Sequence, residues 1–237
     1  MGQYGFVLNG PITGTGPSSR VTIQPADNIA VVIQGDGEAV LVFNDVSYLT
    51  IDGINLQGDT RLKIHAFYNN QGMQWNDAID FYGDCDYVEV KNLTASTDDI
   101  SRYSAGIFIS HKNQMAPDSG LISSVFVHVA NAGIYLLGDG TYNPTGFVIS
   151  NNHMGSPDDS LSSWGIQNQT ADGTIIENNH VENMRKGNFF YGLYFIYGIQ
   201  SFNSDNVIIR NNIIHNIAAT NGPTRLQGIF VSGDVGE

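Results

Sequence analysis

The chain has 237 residues, 10 basic against 23 acidic, a formal net charge of −13 and 27 glycines. Nucleic-acid binding needs clustered Lys and Arg against phosphate, so this balance disfavours it, and no apolar run is long enough to insert into a membrane. The single Cys85 excludes an internal disulfide framework and reads as a small buried apolar residue.

Met1-Gly2-Gln3-Tyr4 lacks the basic and apolar regions of a secretory leader. Residues 1–20 are expected to hold a cap or a first strand, with Phe6, Val7, Leu8 and Ile12 as its apolar members. Val21-Thr22-Ile23, Ile29 to Ile33 and Ala39 to Phe43 predict three strands parted by Pro-Ala-Asp-Asn and Gly-Asp-Gly corners, one full coil. Tyr48 to Leu56 opens the next coil. Within residues 57–77 a strand is expected over Leu62 to Ala66 and a loop over one face, because long structureless loops are uncommon. Ala78 to Gly83 ends that coil, and Tyr87 to Thr94 with Gly106 to Ser110 forms another. Val125 to Leu137 is the shortest. Loops are expected at 95–104, 111–121, 138–146, 155–163, 185–196 and 218–226.

From there the chain repeats itself. Phe147-Val148-Ile149-Ser150-Asn151-Asn152-His153 returns as Thr174-Ile175-Ile176-Glu177-Asn178-Asn179-His180 and as Val207-Ile208-Ile209-Arg210-Asn211-Asn212-Ile213. Degenerate copies are Leu49 to Ile54 and Val88 to Leu93. A Gly-Ile phrase accompanies each coil, with glycines at 106, 133, 165, 198 and 228, hence 27, 32, 33 and 30 residues apart. A fixed phrase at a loosely fixed period marks a solenoid. Apolar alternation with a period of two makes its elements strands. After the Asn pair the phase shifts, so a corner falls there. Asn tolerates left-handed backbone angles, and Asn151, Asn178 and Asn211 are expected to bond one another along the axis, as amide ladders do.

These phrases, Ile-Glu-Asn-Asn-His-Val and Ile-Arg-Asn-Asn-Ile-Ile with a Gly-Ile strand beside each, resemble the right-handed parallel β-helix repeats of the pectate-lyase-like superfamily. The likeness runs from about Val46 to Ser232. The opening, Gly14 to Ile23 and Tyr48 to Gly53, is similar to the first coils of large secreted β-helix proteins of Bacteroidetes-like bacteria. The resemblance implies an all-β, right-handed parallel β-helix of about seven coils, roughly 34 Å long at ~4.8 Å per coil. One domain over residues 1–237 is expected, a fragment of a longer solenoid. That fold carries lyases, hydrolases, epimerases, tailspikes and adhesins, so it does not name a chemistry.

If the Gly-Ile isoleucines point inward, their neighbours point out. The first outward row is then Asp80, Phe108, Tyr135, Gln167, Gln200 and Phe230, and the second is Tyr82, Ser110, Leu137, Gln169, Phe202 and Ser232. Expected core residues are Val88, Val90, Ile107, Ile134, Ile149, Ile166, Ile176, Val181, Ile199, Ile209, Ile214 and Ile229. The phrase strand presents Thr50, Glu89, Val148, Ile175 and Ile208, an apolar patch that a loop or a neighbour is expected to cover.

Aromatic faces with amides suit sugar rings. Asp80, Tyr82, Phe108, Tyr135, Gln167, Gln200, Phe202 and Phe230 are therefore the expected binding residues for a polysaccharide or cell-surface glycan. Satellite packing under the loops is the alternative. Asp98-Asp99 is similar to the paired acids of polygalacturonase-like hydrolases, but Gly-His-Gly and Arg-Ile-Lys are missing. His111 is the best-placed single base. His153 and His180 stack at equivalent positions, yet two histidines fall short of a coordination set, and no metal site is expected. No cofactor is implied; Asp84/Asp86 and Asp158/Asp159 could take Ca²⁺ through carboxylate oxygens.

The expected function is an extracellular or cell-surface carbohydrate-binding or adhesive segment without catalytic apparatus. A lyase, hydrolase or epimerase in the same groove is the second choice, and a structural shaft the third. Because Gln227 to Ser232 reads as an interior strand, self-association through open ends, propagating into filaments, is expected of such a fragment.

Overall fold

The computed structural model describes residues 5–26, 29–36, 38–54, 58, 62–67, 76–98, 104–128, 130–156, 161–185, 188–190, 193–218 and 224–233. Among them every regular element is a strand. β1 (Phe6–Asn9) precedes a first coil of β2 (Val21–Ile23), β3 (Val31–Gly35) and β4 (Ala39–Asn44). The second holds β5 (Leu49–Asp52), β6 (Leu62–Ala66) and β7 (Asp77–Tyr82), and the third β8 (Glu89–Lys91), β9 (Thr94–Thr97) and β10 (Ala105–Ser110). β11 (Leu121–Ser123), β12 (Phe126–His128) and β13 (Ala132–Leu137) form the fourth; β14 (Val148–Ser150), β15 (His153–Met154) and β16 (Trp164–Gln169) form the fifth. The sixth has β17 (Ile175–Glu177), β18 (His180–Met184), β19 (Asn188–Phe190) and β20 (Leu193–Phe202). β21 (Ile208–Arg210), β22 (Ile213–Ile217) and β23 (Thr224–Ser232) make the last.

Strands of successive coils stack in parallel register into three sheets. We call them sheet I (β1, β4, β7, β10, β13, β16, β20, with β19 and β23 both paired to β20), sheet II (β2 to β21) and sheet III (β3 to β22), the latter two of seven strands each. Sheet I has nine strands and sheets II and III seven each, and the chain winds through about six turns where about seven coils were expected. The core is the space the three sheets enclose. Ile79, Ile107, Ile134, Ile166 and Ile199 form one inward column in register, faced by Val90, Ile122, Ile149 and Ile176 of sheet II and Val127, Met154 and Val181 of sheet III, all at most 1 % exposed. Phe43 and Phe81 stack inside at 5.1 Å between ring centroids. Apolar side chains of similar size recur at each position, so a similar contact is made at each step. The last coil departs from expectation. Ile209 and Ile214 are only partly buried, and Ile229 is 50 % exposed, because no described coil follows to cover them. On sheet II the outward ridge of Leu121, Val148 and Ile175 is half-buried, and Ile208 is exposed.

The Asn pair divides its labour in a way the repeat alone did not reveal. Asn151, Asn178 and Asn211 take positive φ of 56°, 55° and 56° and turn the corner. The ladder belongs to the second residue of each pair. Asn152 Nδ2 donates to Asn179 Oδ1 at 3.0 Å, and Asn179 Nδ2 to Asn212 Oδ1 at 3.0 Å. The expected bonds among Asn151, Asn178 and Asn211 are thus displaced by one residue. The cause is geometric: a left-handed corner residue points outward, and its successor points into the stack.

The Gly-Ile glycines also have a packing reason. A Cβ on Gly106, Gly133, Gly165 or Gly198 would stand 2.3–2.7 Å from Val127, Met154, Val181 or Ile214 respectively. Each glycine therefore faces inward, next to its inward isoleucine. Two consecutive inward residues break the alternation, and the residue before the glycine turns out. The expected loop at 95–104 begins inside β9, 185–196 contains β19, which pairs antiparallel with β20, and 218–226 runs into β23.

Candidate functional site

Sheet I's outer face carries three rows of side chains, one more than alternation predicts. The two expected rows are in register: Asp80, Phe108, Tyr135, Gln167, Gln200 and Phe230, and Tyr82, Ser110, Leu137, Gln169, Phe202 and Ser232. The third holds Asp77, Ala105, Ala132, Trp164, Tyr197 and Gln227, the residues displaced outward before each glycine or its equivalent. Tyr197 and Phe230 accordingly meet at 5.3 Å between centroids.

The face changes character along the axis. At the earlier coils it is a satellite core: Ala105, Phe108 and Ala132 are buried, with Tyr82, Tyr135, Leu137 and Trp164 packed around them. Phe108, expected on an open floor, is only 4 % exposed, Gln167 7 % and Asp80 2 %. Burial also holds the Tyr135 hydroxyl far above its usual range, where it donates to Gln169 Oε1 at 3.1 Å. Towards the last coils the face opens. Phe202 is 36 % exposed, and Gln200 and Phe230 are half-buried. Trp164 Nε1, Gln200 Oε1 and Gln227 Oε1 are buried without a hydrogen-bond partner. Each such atom costs about 1–3 kcal/mol unless something bonds it.

Asp77 and Asp80 form a buried acid pair on this face. Burial first, and for Asp77 then the charge of Asp80, push both carboxyls well above the usual carboxylate range. Asp77 Oδ1 accepts from the Ala105 N–H, and Asp80 Oδ2 accepts from the Tyr82 hydroxyl at 3.1 Å. The other expected acids and the base are not brought together. Asp98 lies beyond β9 and pairs with His65 Nε2 at 3.1 Å, while Asp99 falls outside the described residues. His111, at the end of β10, faces Asp139 at 3.4 Å. Asp139 is held below its usual value by the N–H groups of Tyr142 and Thr141 and by His111. Cys85 is buried as expected, and burial pushes its thiol up to about 11. Asp86 is raised to about 6 by burial and by Asp84 and Asp118, and its Oδ1 accepts from the Asp118 N–H at 2.8 Å. Asp158 and Asp159 fall outside the described residues.

A second cluster stands on the outer face of sheet III. His153 and His180 stack as expected, at 4.5 Å and 17° between rings. Two further groups join them. His180 Nε2 lies 2.7 Å from His215 Nε2, and His153 Nε2 lies 2.7 Å from Glu182 Oε1. The donor atoms of His153, His180 and Glu182 all fall within 4.8 Å of one another. Burial, then the neighbouring imidazoles, lower His180 below the usual histidine value. At Glu182 burial works the other way and is outweighed by the His153 hydrogen bond and the three imidazoles, so its carboxyl sits low. Alternation names both partners: Glu182 is two residues beyond His180, and His215 two beyond Ile213, the residue stacked on His180.

No curated protein sequence matches the chain. Among solved structures it is similar to an alginate lyase from Paenibacillus sp. str. FPU-7, at 15 % identity and a TM-score of 0.42 over 92 % of this chain and 85 % of that one. It is similar also to endopolygalacturonase I from Stereum purpureum, at 11 % identity and a TM-score of 0.23 over 96 % and 93 %. The family model described as "Right handed beta helix region" matches residues 77–234, well over half of the chain. With its parallel three-sheet coils, the chain belongs to the right-handed β-helix family.

Proposed function

We propose that the chain binds a carbohydrate along the outer face of sheet I, outside the cell or at its surface, without catalytic apparatus of its own. The carrying observation is the run of aromatic and amide side chains at the later coils, Gln169, Gln200, Phe202, Gln227 and Phe230, held in axial register. Sugar rings stack on aromatic faces, and their hydroxyls bond amides. Asp80, Phe108, Tyr135 and Gln167 continue the Gln200–Phe230 row at the earlier coils, where they are more deeply buried, with Tyr82 beside them. The finer likeness to the pectate-lyase-like superfamily rests on the Asn-pair and Gly-Ile phrases, and that to secreted Bacteroidetes-type β-helix proteins on the opening from Gly14 to Gly53.

A lyase, hydrolase or epimerase on the same face is the second reading, favoured by the Asp77–Asp80 pair. Paired carboxyls are what acid–base chemistry on sugars uses. The depth of both groups weighs against it, since neither Asp77 nor Asp80 exceeds 2 % exposure. Screening neutral and acidic glycans with and without Ca²⁺, while following binding, new reducing ends and absorbance from unsaturated products, separates the readings. Binding without product is expected. Product formation that Asp80→Asn abolishes would replace binding with catalysis, and silence on every glycan would leave a structural shaft.

A further inference from the structure

Five of the six histidines, His65, His128, His153, His180 and His215, lie on strands of sheet III. They alternate with the inward Ile64, Val127, Met154, Val181 and Ile214, so all five stand on its outer face. Three of them converge on one carboxylate, Glu182. Their geometry is that of a ligand set. His215 Nε2 is 2.7 Å from His180 Nε2 and 3.8 Å from Glu182 Oε2, and His153 Nε2 is 2.7 Å from Glu182 Oε1. Donors placed tetrahedrally at zinc distances of ~2.0–2.1 Å stand about 3.3 Å apart. Two of these separations are shorter and one is longer than that value; His153, His180 and Glu182 have their donor atoms within 4.8 Å of one another, and His215 joins them through His180 and Glu182.

Supporting contacts hold the ligands in place. Asn183 Nδ2 donates to Glu182 Oε2 at 2.8 Å, the outer contact that orients a ligating carboxylate. Phe126 packs edge-on against the His153 ring at 5.2 Å. The His180–His215 contact can carry only one proton between its two nitrogens, and a cation can take that proton's place.

We propose that His153, His180, His215 and Glu182 bind a divalent first-row transition-metal ion of the zinc class. Three imidazoles and one carboxylate suit such an ion, whereas Ca²⁺ and Mg²⁺ prefer oxygen-only sets. His153 comes from the fifth coil, His180 and Glu182 from the sixth, and His215 from the seventh, so the ion clips three coils together from outside. The site is on a different sheet from the carbohydrate face and does not depend on it.

Calorimetric titration of the tag-free chain with Zn²⁺ alone, and with Ca²⁺ alone, tests the assignment. One equivalent of Zn²⁺ is expected, with a rise in the thermal unfolding midpoint, and no matching Ca²⁺ uptake. Co²⁺ should give the visible absorption of a tetrahedral site. His180→Ala and Glu182→Gln should each weaken Zn²⁺ binding about tenfold or more, while His128→Ala on the same face leaves it unchanged. His215→Gln serves if the circular dichroism of His180→Ala shows loss of fold. Zn²⁺ uptake that is absent, or equally strong in His180→Ala and Glu182→Gln, would overturn the proposal.

Discussion

One amide at Asn179 holds four hydrogen bonds: its Nδ2 donates to Ile149 O and Asn212 Oδ1, and its Oδ1 accepts from the Asn152 N–H and Asn152 Nδ2. Removing it leaves several buried groups unpaired, so Asn179→Ala is expected to cost about 2–4 kcal/mol in urea denaturation. Asn178 does a different job, and Asn178→Ala should cost about 1–2 kcal/mol, the strain of a left-handed angle, with Asn178→Gly largely relieving it. The Asp77–Asp80 pair gives a pH signature. Both folded carboxyls titrate above their ordinary value, so the folded chain binds more protons than the unfolded one once pH exceeds about 4. Unfolding free energy should therefore fall as pH rises from there towards the raised values, and level off beyond them. Asp80→Asn should flatten that fall, which denaturation midpoints across pH would register.

At the scale of the coil, the inward glycine is the element's sharpest constraint. A Cβ on Gly165 would meet Val181 Cγ1 at 2.4 Å and the Gly198 carbonyl oxygen at 2.5 Å. Gly165→Ala should destabilise by about 1–3 kcal/mol, with the lost hydrogen-exchange protection centred on the fifth and sixth coils. That constraint explains what could be read before the structure was known. Repeating Gly-Ile and Asn-Asn phrases made the strands, their coil order and two outward rows legible, because each position recurs facing the same way. Asp77, Trp164 and Tyr197 were not legible as outward residues. Strict alternation fails where two neighbours, such as Gly165 and Ile166, both face inward. The antiparallel β19 was also missed, since its Asn188-Phe189-Phe190 belongs to no repeat.

Over the whole molecule, the two proposed sites lie on different faces. The aromatic floor was legible as a row but not in depth: Phe108 is buried among Tyr82, Tyr135 and its other neighbours on the same face, and alternation gives a side chain's direction but not its depth. The histidine cluster was half legible. His153 and His180 share a repeat position, whereas Glu182 and His215 lie one strand step further and come together only through stacking. The proposed sugar site on sheet I is tested most directly by calorimetric affinity for the best-bound glycan, compared among the unaltered chain, Phe202→Ala and His180→Ala. Phe202→Ala should weaken binding by about 1–3 kcal/mol, by analogy with the loss of one base–aromatic stack, with circular dichroism and the affinity of His180→Ala unchanged. Equal affinity in Phe202→Ala, or a loss shared by His180→Ala, would contradict it.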